Sequence, residues 1–304
     1  MPIFRHRQAS SAEFPSVIAF LPPTQFGCSR DTALSCWLRW HQRGALTVGI
    51  IEGIEGDDPP AIVGAGITLW ITDRAVEFLH QSHRDPCSVQ LYALKSDAAW
   101  VSDKQQIAAG HMQCNLNLWI VHFWPGPDPR NPDFAAFFVQ AHASFRDLHD
   151  GFGVGRVLQE IPTEHIPLMA AVGMRIARPA TSGQPMALAT LTRGDARTDP
   201  GSLMSFLFLK PPGRLGLNPS EQCMLTLALR QLTDADIAEC MGCSRDYIRK
   251  LWSRVYDALQ THAGLAVRER HELKRSQRGR EQRRLALEFF RTHLEELRPG
   301  RTLR

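Results

Sequence analysis

The sequence has no apolar segment long enough to cross a bilayer. Its longest strongly apolar run, LNLWIVHFW at 116–124, is far shorter than the roughly 20 residues that a spanning helix needs. The N-terminal stretch MPIFRHRQASSAEF also lacks the apolar core of a secretion signal. These absences predict a soluble protein with no membrane partner, and they favour a cytoplasmic location.

Cysteine and metal-ligand patterns are sparse. The seven cysteines are odd in number and irregularly spaced, which predicts reduced thiols. Cys240 and Cys243 have the C-x-x-C spacing of zinc and thiol redox sites, but a second cysteine pair is missing. His80, His83 and Cys87 are ligand types without an evident fourth ligand. We therefore predict no metal site and no cofactor.

Motifs of several large functional classes are also missing. The sequence contains no nucleophile elbow and no phosphate-binding P-loop, and no aspartate stands in a receiver-domain context. Serine hydrolases, P-loop nucleotide hydrolases and regulators controlled by aspartyl phosphorylation are accordingly not indicated.

Positive charge is concentrated at one end of the chain. The formal net charge is +4, yet residues 266–304 hold 12 Lys and Arg against 6 Asp and Glu, so that the remainder sums to about −2. A basic segment on a near-neutral body favours a polyanionic partner such as nucleic acid. The alternative is that this segment forms a solvent-exposed helix that carries charges of both signs.

Composition predicts two folded domains with a linker between them. Residues 177–202 are rich in Pro, Gly, Ser, Thr and Asp, and the apolar run LMSFLFL and the segment KPPGRLG follow. The predicted parts are a sensing or oligomerisation domain at 1–202, a linker at 203–216, a helix-turn-helix domain at 217–264 and a basic helical extension at 265–304.

The N-terminal part alternates between strand-like and helix-like segments. Strands are predicted at 45–51, 61–71 and 116–124, and helices at 134–148, after the glycines of DGFGVGRVLQE, and at 165–174. This pattern predicts an α+β domain with helices packed on a mixed sheet.

The segment from Leu217 is helical throughout. Asn218 and Pro219 suit the start of a first helix, and Thr233 suits the cap of a second. Gly242 supplies a tight turn, and Ser244 caps a third helix. The residues predicted to face inward are Met224, Leu225, Ala228, Ile237, Ala238, Met241, Ile248, Val255 and Leu259.

Residues 217–259, LNPSEQCMLTLALRQLTDADIAECMGCSRDYIRKLWSRVYDAL, resemble the LuxR-type (GerE-like) DNA-binding domain without a gap. Four positions depart from the family pattern: Gln231 replaces Gly, Tyr247 replaces Thr, Leu251 replaces His and Ala258 replaces Lys. Tyr247 and Leu251 are expected on or near the groove-facing side of the third helix. In this register Cys240 points outward and Cys243 inward, which makes the C-x-x-C part of a turn.

The resemblance implies a homodimer that binds double-stranded DNA, with the third helix in the major groove. The DNA-binding residues that it implies are Thr233, Ser244, Arg245, Asp246, Tyr247, Arg249, Lys250 and Arg254. Arg249 is expected to pair with guanine, a contact worth about 1–3 kcal/mol of discrimination. Asp246 would accept from cytosine or face solvent, and Arg254 would contact a phosphate or pair with Asp257. The alternative is a three-helix module that only dimerises.

The basic extension predicts a further helix. A late apolar stripe consists of Leu285, Leu287, Phe289, Phe290 and Leu294. This helix would dimerise, widen the basic footprint or pack on the first domain, with the arginines of 268–284 near DNA.

The N-terminal domain is similar in two short segments to GNAT acetyltransferases. DGFGVGRVL at 150–158 resembles the loop whose backbone N–H groups hold the pyrophosphate of acetyl-CoA. AAVGMRI at 170–176 resembles a late segment of that fold. Asp150 stands where the family has Arg or Gln, and Met169 where it commonly has a catalytic Tyr. The loop could equally be a turn between two helices.

Together these patterns predict a transcriptional regulator that binds DNA and is not an enzyme. Its N-terminal domain would sense an unknown small-molecule effector or mediate dimerisation. The alternative is a GNAT acetyltransferase with an appended helix-turn-helix module, which the negative charge of Asp150 and the absence of Tyr at Met169 argue against.

Overall fold

The computed structural model describes residues 3–56, 59–82, 86–94, 97, 99–124, 130–183, 185–209, 213–262 and 275–299. The chain forms two compact units, Met1–Leu209 and Lys210–Leu303. None of the described helices is both long and apolar enough to cross a membrane.

The N-terminal unit is a mixed sheet with helices on both faces. Its strands are β1 (Ile3–Gln8), β2 (Leu46–Ile54), β3 (Ala61–Ile71), β4 (Leu116–Trp124), β5 (Val154–Pro162), β6 (Arg175–Arg178) and β7 (Met186–Thr192). Its helices are α1 (Phe14–Phe20), α2 (Arg30–Gln42), α3 (Asp73–Gln81), α4 (Cys87–Tyr92), α5 (Lys104–Gln113), α6 (Phe134–His149), α7 (Ile166–Ala171), α8 (Arg193–Thr198) and α9 (Phe206–Leu209). The predicted α+β class is confirmed.

The seven strands pair in the order β1-β2-β3-β4-β5-β7-β6. Every neighbouring pair is antiparallel except β4 and β5, which are parallel because α6 returns the chain to the same end of the sheet. The strands predicted at 61–71 and 116–124 match β3 and β4, and the strand predicted at 45–51 forms most of β2.

A β-bulge interrupts β4. Ile67 pairs with His122 and Thr68 pairs with Ile120, so Val121 is the extra residue on the bulged strand. Trp119 and His122 pair with Leu69 and Ile67, which are two residues apart on β3. Both side chains therefore lie on one face of the sheet, although they are three residues apart in sequence.

The main core lies on the face opposite α6. It contains the fully buried rings of Phe14, Phe26, Trp37 and Trp40 from α1, α2 and their connection. Edge-to-face contacts join Phe14 and Phe26 to Trp37. This aromatic packing fixes α1 and α2 against the sheet.

Helix α6 lies close to the other face because glycines leave room for it. A Cβ at Gly49 would come within 2.8 Å of Leu148, and one at Gly64 within 2.6 Å of Phe137. His6 ties β1 to the same helix through Gln140 at 2.8 Å and Asp147 at 3.0 Å.

The segment 150–158 is not a loop that starts a helix. The helix predicted after its glycines is wrong, because Val154 begins strand β5. A Cβ at Gly153 would lie 2.1 Å from the carbonyl oxygen of His111, and one at Gly155 2.7 Å from the Cα of Asn115. These glycines allow the backbone to pass the turn between α5 and β4, which is a packing role.

The C-terminal unit is entirely helical in its described part. It contains α10 (Pro219–Leu229), α11 (Asp234–Met241), α12 (Arg245–His262) and α13 (Arg275–Thr292), followed by a 3-10 turn at Leu294–Leu297. Asn218 and Thr233 cap α10 and α11 in capping boxes, and Gly242 has φ +62°. All nine predicted inward-facing residues are buried except Met241, which is half-buried.

Within 203–216, expected to be a linker, the described residues 203–209 belong to the N-terminal unit and 213–216 to the C-terminal unit. Leu207 and Phe208 of α9 are buried in the core of the N-terminal unit. Leu215 is buried in the core of the C-terminal unit, and Glu296 accepts hydrogen bonds from the backbone N–H groups of Arg214 and Leu215, both at 2.8 Å. Apolar side chains make these segments part of the cores.

Helix α13 packs on α10 and α12 of its own unit. Ala286 and Phe290 are fully buried there, while Leu287, Phe289 and Leu294 are half-buried against the same core. The apolar stripe was predicted to mediate dimerisation or to pack on the first domain. In the structure it packs on the core of the C-terminal unit.

Arg283 is a structural residue, although it belongs to the arginines expected near DNA. Its guanidinium contacts the Asp234 carboxylate at 2.5 Å and donates to the carbonyl of Leu232 at 3.2 Å. It also lies over the Trp252 ring at 4.9 Å from the centroid. These contacts tie α13 to the start of α11 and to α12.

Gln231, which replaces a family glycine, has φ +66°. This left-handed conformation suits glycine and costs an L-residue with a side chain about 1–2 kcal/mol. Gln231 therefore adopts a backbone conformation that glycine would adopt at lower cost.

Candidate functional site

An opening in the middle of the sheet marks the first candidate site. Strands β4 and β5 pair only as far as Ile120 and Gln159. Beyond that point β4 remains paired with β3 as far as Trp124, and β5 with β7 as far as Pro162. The facing edges, residues 121–124 and 160–162, are not hydrogen-bonded to each other. We call this opening the fork.

The bulge explains why the fork opens there. Val121 adds one residue to β4 at the point where pairing with β5 ends. A bulge bends its strand and increases the local twist, and it carries β4 away from β5. Backbone N–H and C=O groups in the interior of a sheet normally pair with both neighbouring strands, whereas residues 121–124 of β4 do not pair with β5.

An apolar cleft adjoins the fork on the α6 face. Ile120 and Gln159 at the fork line it, and Phe138 and Phe145 of α6 and Met169 of α7 form its walls. Its volume is about 110 Å³. The cleft therefore joins the open edge of β4 to the space beneath α6.

A buried hydrogen-bonded chain lies on the other face of β4. The Trp37 indole donates to the Tyr92 Oη at 2.8 Å, and Tyr92 lies 3.0 Å from the His122 Nε2. Because an indole only donates, the Tyr92 O–H is free to donate to Nε2. Burial lowers the pKa of His122 to about 3 and raises the pKa of Tyr92. His122 is therefore neutral, and its proton lies on Nδ1 in the arrangement in which Tyr92 donates to Nε2.

A buried ion pair stabilises the face of the sheet opposite α6. Arg178 of β6 contacts Glu160 of β5 at 3.1 Å, and both side chains are less than a tenth exposed. Arg178 also donates to the Leu79 carbonyl at 3.1 Å, and the Ser88 N–H donates to Glu160 at 3.2 Å. Burial raises the pKa of Glu160. Through these contacts the pair fixes the end of α3 and the start of α4.

The exposed side of α12 is the second candidate site. Arg245, Tyr247, Arg249 and Lys250 are exposed at the start of this helix, and Arg254 is exposed one turn further on. The Ser244 hydroxyl accepts from the Tyr247 N–H at 3.2 Å, as expected for a cap. The structure thus brings the cationic residues predicted for α12 onto one solvent-facing side.

Some of the residues singled out in this unit have other roles. Asp246 faces solvent and pairs with Arg249 at 2.9 Å. The Thr233 hydroxyl donates to the Asp236 carboxylate at 2.7 Å, within the capping box. Leu251, expected near the groove-facing side, is fully buried in the core because it follows Ile248 on the inward side of α12.

The cysteine and histidine patterns do not converge on a metal site in the described structure. Cys240 is exposed and Cys243 half-buried, and both are free thiols. No group of three or more His, Cys, Asp or Glu residues that could hold a metal ion occurs among the described residues. His83 lies outside them.

No protein-family model matches this sequence, and no curated protein is similar to it in sequence.

Several solved structures are similar in fold to the N-terminal two thirds of the chain. FeeM, an N-acyl amino acid synthase from uncultured soil microbes, is 12% identical with a TM-score of 0.38 over 65% of this chain and 94% of that one. A spermidine N-acetyltransferase from Vibrio cholerae is 7% identical with a TM-score of 0.39 over 64% and 95%. An aminoglycoside acetyltransferase is 10% identical with a TM-score of 0.34 over 65% and 99%. Scores this low do not assign the chain to a family.

The matched proteins are enzymes, which contradicts the prediction that this chain is not one. The part of the residue argument that rests on Asp150 is also wrong. Asp150 ends α6 and does not follow β4, so it does not occupy a loop between a strand and a helix. Met169 lies on α7 and lines the cleft beside the fork. Asp150 therefore does not argue against catalysis, while the absence of Tyr at Met169 stays as the sequence has it.

Proposed function

We propose that the N-terminal unit is a GNAT-type acyltransferase, which moves an acyl group from a coenzyme A thioester to an amine. The fork between β4 and β5 carries this proposal. The C-terminal helical unit would be an appended module of that enzyme.

The fork suits the pantetheine arm of coenzyme A. This arm is extended and contains two amide groups, and each amide has a donor and an acceptor. Residues 121–124 of β4 present unpaired backbone groups along an edge that would otherwise pair with β5. An extended ligand can therefore add to β4 in the manner of an extra strand. The apolar cleft at Ile120 would cover its methylene groups.

Helix α6 contributes to the same site. It begins at Phe134, shortly after the end of β4 at Trp124. The N-terminus of a helix presents free N–H groups and the positive end of the helix dipole, which favour phosphate groups. The diphosphate of coenzyme A would lie at this end of the fork.

Acyl transfer forms a C–N bond and breaks the C–S bond of the thioester. The attacking amine loses a proton, and the sulfur leaves as the thiol of coenzyme A. With Tyr92 donating to Nε2, the neutral ring of His122 would carry its proton on Nδ1 and would donate it in a hydrogen bond to the reacting carbonyl oxygen. A donor of this kind stabilises the negative charge that develops on the oxygen. With a pKa near 3, His122 is unsuited to act as a general base at neutral pH.

Acetyl-CoA should stabilise the N-terminal unit against heat. A ligand at 100 times its dissociation constant adds about 2.7 kcal/mol to the free energy of unfolding, which corresponds to a rise in melting temperature of about 5–10 °C for a unit of this size. Differential scanning fluorimetry of the full chain with millimolar acetyl-CoA tests this. Pantetheine should give part of the shift and ADP less, because the fork binds the arm. The absence of any shift would contradict the proposal.

We propose as a second function that the C-terminal unit binds double-stranded DNA through α12, as a LuxR-type helix-turn-helix. The exposed cationic side of α12 supports it. Arg245, Arg249 and Lys250 project from the first turns of a helix that follows a short capped helix and a left-handed Gly242. That arrangement suits entry into a major groove, with Tyr247 beside the bases and Arg254 near a phosphate.

Replacing Arg249 and Lys250 together by Ala should weaken binding to duplex DNA at least about 10-fold, because a base contact of Arg is worth about 1–3 kcal/mol. Duplexes selected from a random pool by the unmodified chain supply the probe, and gel retardation at several salt concentrations supplies the measurement. The matched control replaces Arg30 and Arg197, two exposed arginines of the N-terminal unit. It lowers the net charge equally and should leave affinity unchanged. Equal effects of both pairs would argue against α12 as the reading helix.

A further inference from the structure

A partly open apolar cavity lies beside the fork on the face opposite α6. Its volume is about 270 Å³. Ile71 of β3 and Trp119 of β4 form its floor, and residues of α3, α4 and the segment around Trp100 form its walls. None of the residues that line it carries a formal charge. Burial raises the pKa of Cys87 in this wall to about 12, so its thiol is also neutral.

One polar group in the cavity wall has no partner. Trp119 is 3% exposed, and its indole Nε1–H is buried without a hydrogen-bond acceptor among the described residues. Leaving a buried donor unpaired costs about 1–3 kcal/mol. The other tryptophan indoles on this side have acceptors: Trp37 donates to Tyr92 and Trp40 to Asp97. Trp119 therefore leaves an unused donor in the wall of a largely apolar space.

The position of Trp119 connects the cavity to the fork. Trp119 pairs in register with Leu158, and the next residue of β4, Ile120, is the last that pairs with β5. The bulge keeps Trp119 on the same face as His122. A group attached to a pantetheine arm in the fork would therefore meet this cavity directly beyond the end of the arm.

We propose that the cavity holds the acyl chain of the donor thioester, and that this chain has about ten carbons. The inference rests on the proposed acyltransferase function and specifies its substrate class. A cavity of about 150 Å³ accommodates benzene, with six carbons, so one of 270 Å³ accommodates about ten. An acyl chain is uncharged and carries one carbonyl oxygen, which suits the unused donor on Trp119. An acetyl group would leave most of this space empty.

Binding of decanoyl-CoA and acetyl-CoA, compared by isothermal titration calorimetry, tests the proposal. Each buried methylene favours binding about 4-fold, so decanoyl-CoA should bind at least about 100-fold more tightly. Ala75→Leu puts three carbons into the cavity from α3 and should move the preferred chain length from about ten carbons to about seven. Trp119→Phe keeps a ring but removes the donor, and it should weaken decanoyl-CoA binding about 5-fold. Ala75→Leu should leave binding of acetyl-CoA unchanged, whereas Trp119→Phe should weaken it by a similar factor, because acetyl-CoA carries the same carbonyl oxygen.

Trp70→Phe is the matched control, since Trp70 is equally buried on β3 but does not line the cavity. Equal affinity for the two thioesters would overturn the acyl-chain proposal and leave the acyltransferase proposal standing. If neither thioester bound, the acyltransferase proposal would fail, and with it the assignment of the donor. Free decanoic acid would then test the cavity alone: binding lost in Ala75→Leu would support an apolar-chain site, and no binding would exclude one.

Discussion

Replacing Arg178 by Ala should lower the free energy of unfolding of the N-terminal unit by about 3–5 kcal/mol. The substitution leaves the Glu160 carboxylate buried with no cation beside it, and it also removes the donor to the Leu79 carbonyl. Chemical denaturation of the full chain measures the loss. The exposed Arg284, which pairs with Glu281 and Glu288 on α13, is the control, and its replacement by Ala should cause no comparable loss.

The cost of Arg178→Ala should depend on pH. Burial already raises the pKa of Glu160 above its usual value of 4.5, and loss of Arg178 should raise it further. Protonation then favours the folded state, so the variant should be least impaired below pH 4.5 and lose stability as pH rises through the folded-state pKa. A loss that stayed constant from pH 4 to pH 8 would show that charge burial is not its cause. Combining Arg178→Met with Glu160→Leu should recover most of the stability.

Phe290→Ala should destabilise the C-terminal unit by about 3–5 kcal/mol. The ring is fully buried where α13 packs on α10 and α12, and its removal leaves a cavity in the only hydrophobic core of the described part of this unit. Because native domains are stabilised by only about 5–15 kcal/mol, local unfolding should become frequent. Hydrogen exchange of residues 219–262, followed by mass spectrometry, should show faster exchange.

The neighbouring Phe289 is a matched control for this substitution. It is half-buried and stacks on His293, so Phe289→Ala should cost clearly less. If exchange within 219–262 were unchanged in Phe290→Ala, α13 would be an appendage and not part of the folded unit.

The sequence indicated local structure well where periodicity and capping residues agreed. β3, β4 and α6 lie where their apolar patterns place them, and the caps at Asn218 and Thr233 follow from residue chemistry. Predictions failed where tertiary packing determines the local backbone conformation. The glycines of 150–158 resemble a phosphate loop, yet they serve close backbone approach at Gly153 and Gly155. No local pattern distinguishes these two uses of glycine.

The candidate site was largely hidden from sequence analysis because it depends on pairing between distant segments. Nothing near Ile120 indicates that β4 and β5 separate there, since strand pairing is a property of the folded sheet. Trp37, Tyr92 and His122 come from three elements and were not singled out. The sequence signal for this site was His122, a histidine within the apolar strand predicted at 116–124. The cationic residues of α12 could be predicted from the sequence because they lie within one helix.

The bulge at Val121 also limits which insertions and deletions the sequence can tolerate during evolution. In an uninterrupted strand, residues three apart lie on opposite sides of the sheet; here one additional residue brings Trp119 and His122 to the same side. Loss of the codon for Val121 would leave Trp119 and His122 two residues apart and still on one side of the sheet, but it would remove the bulge that bends β4 away from β5. A further residue inserted between Trp119 and His122 would instead turn one of them to the other side, so the length of this strand matters as well as its residue types.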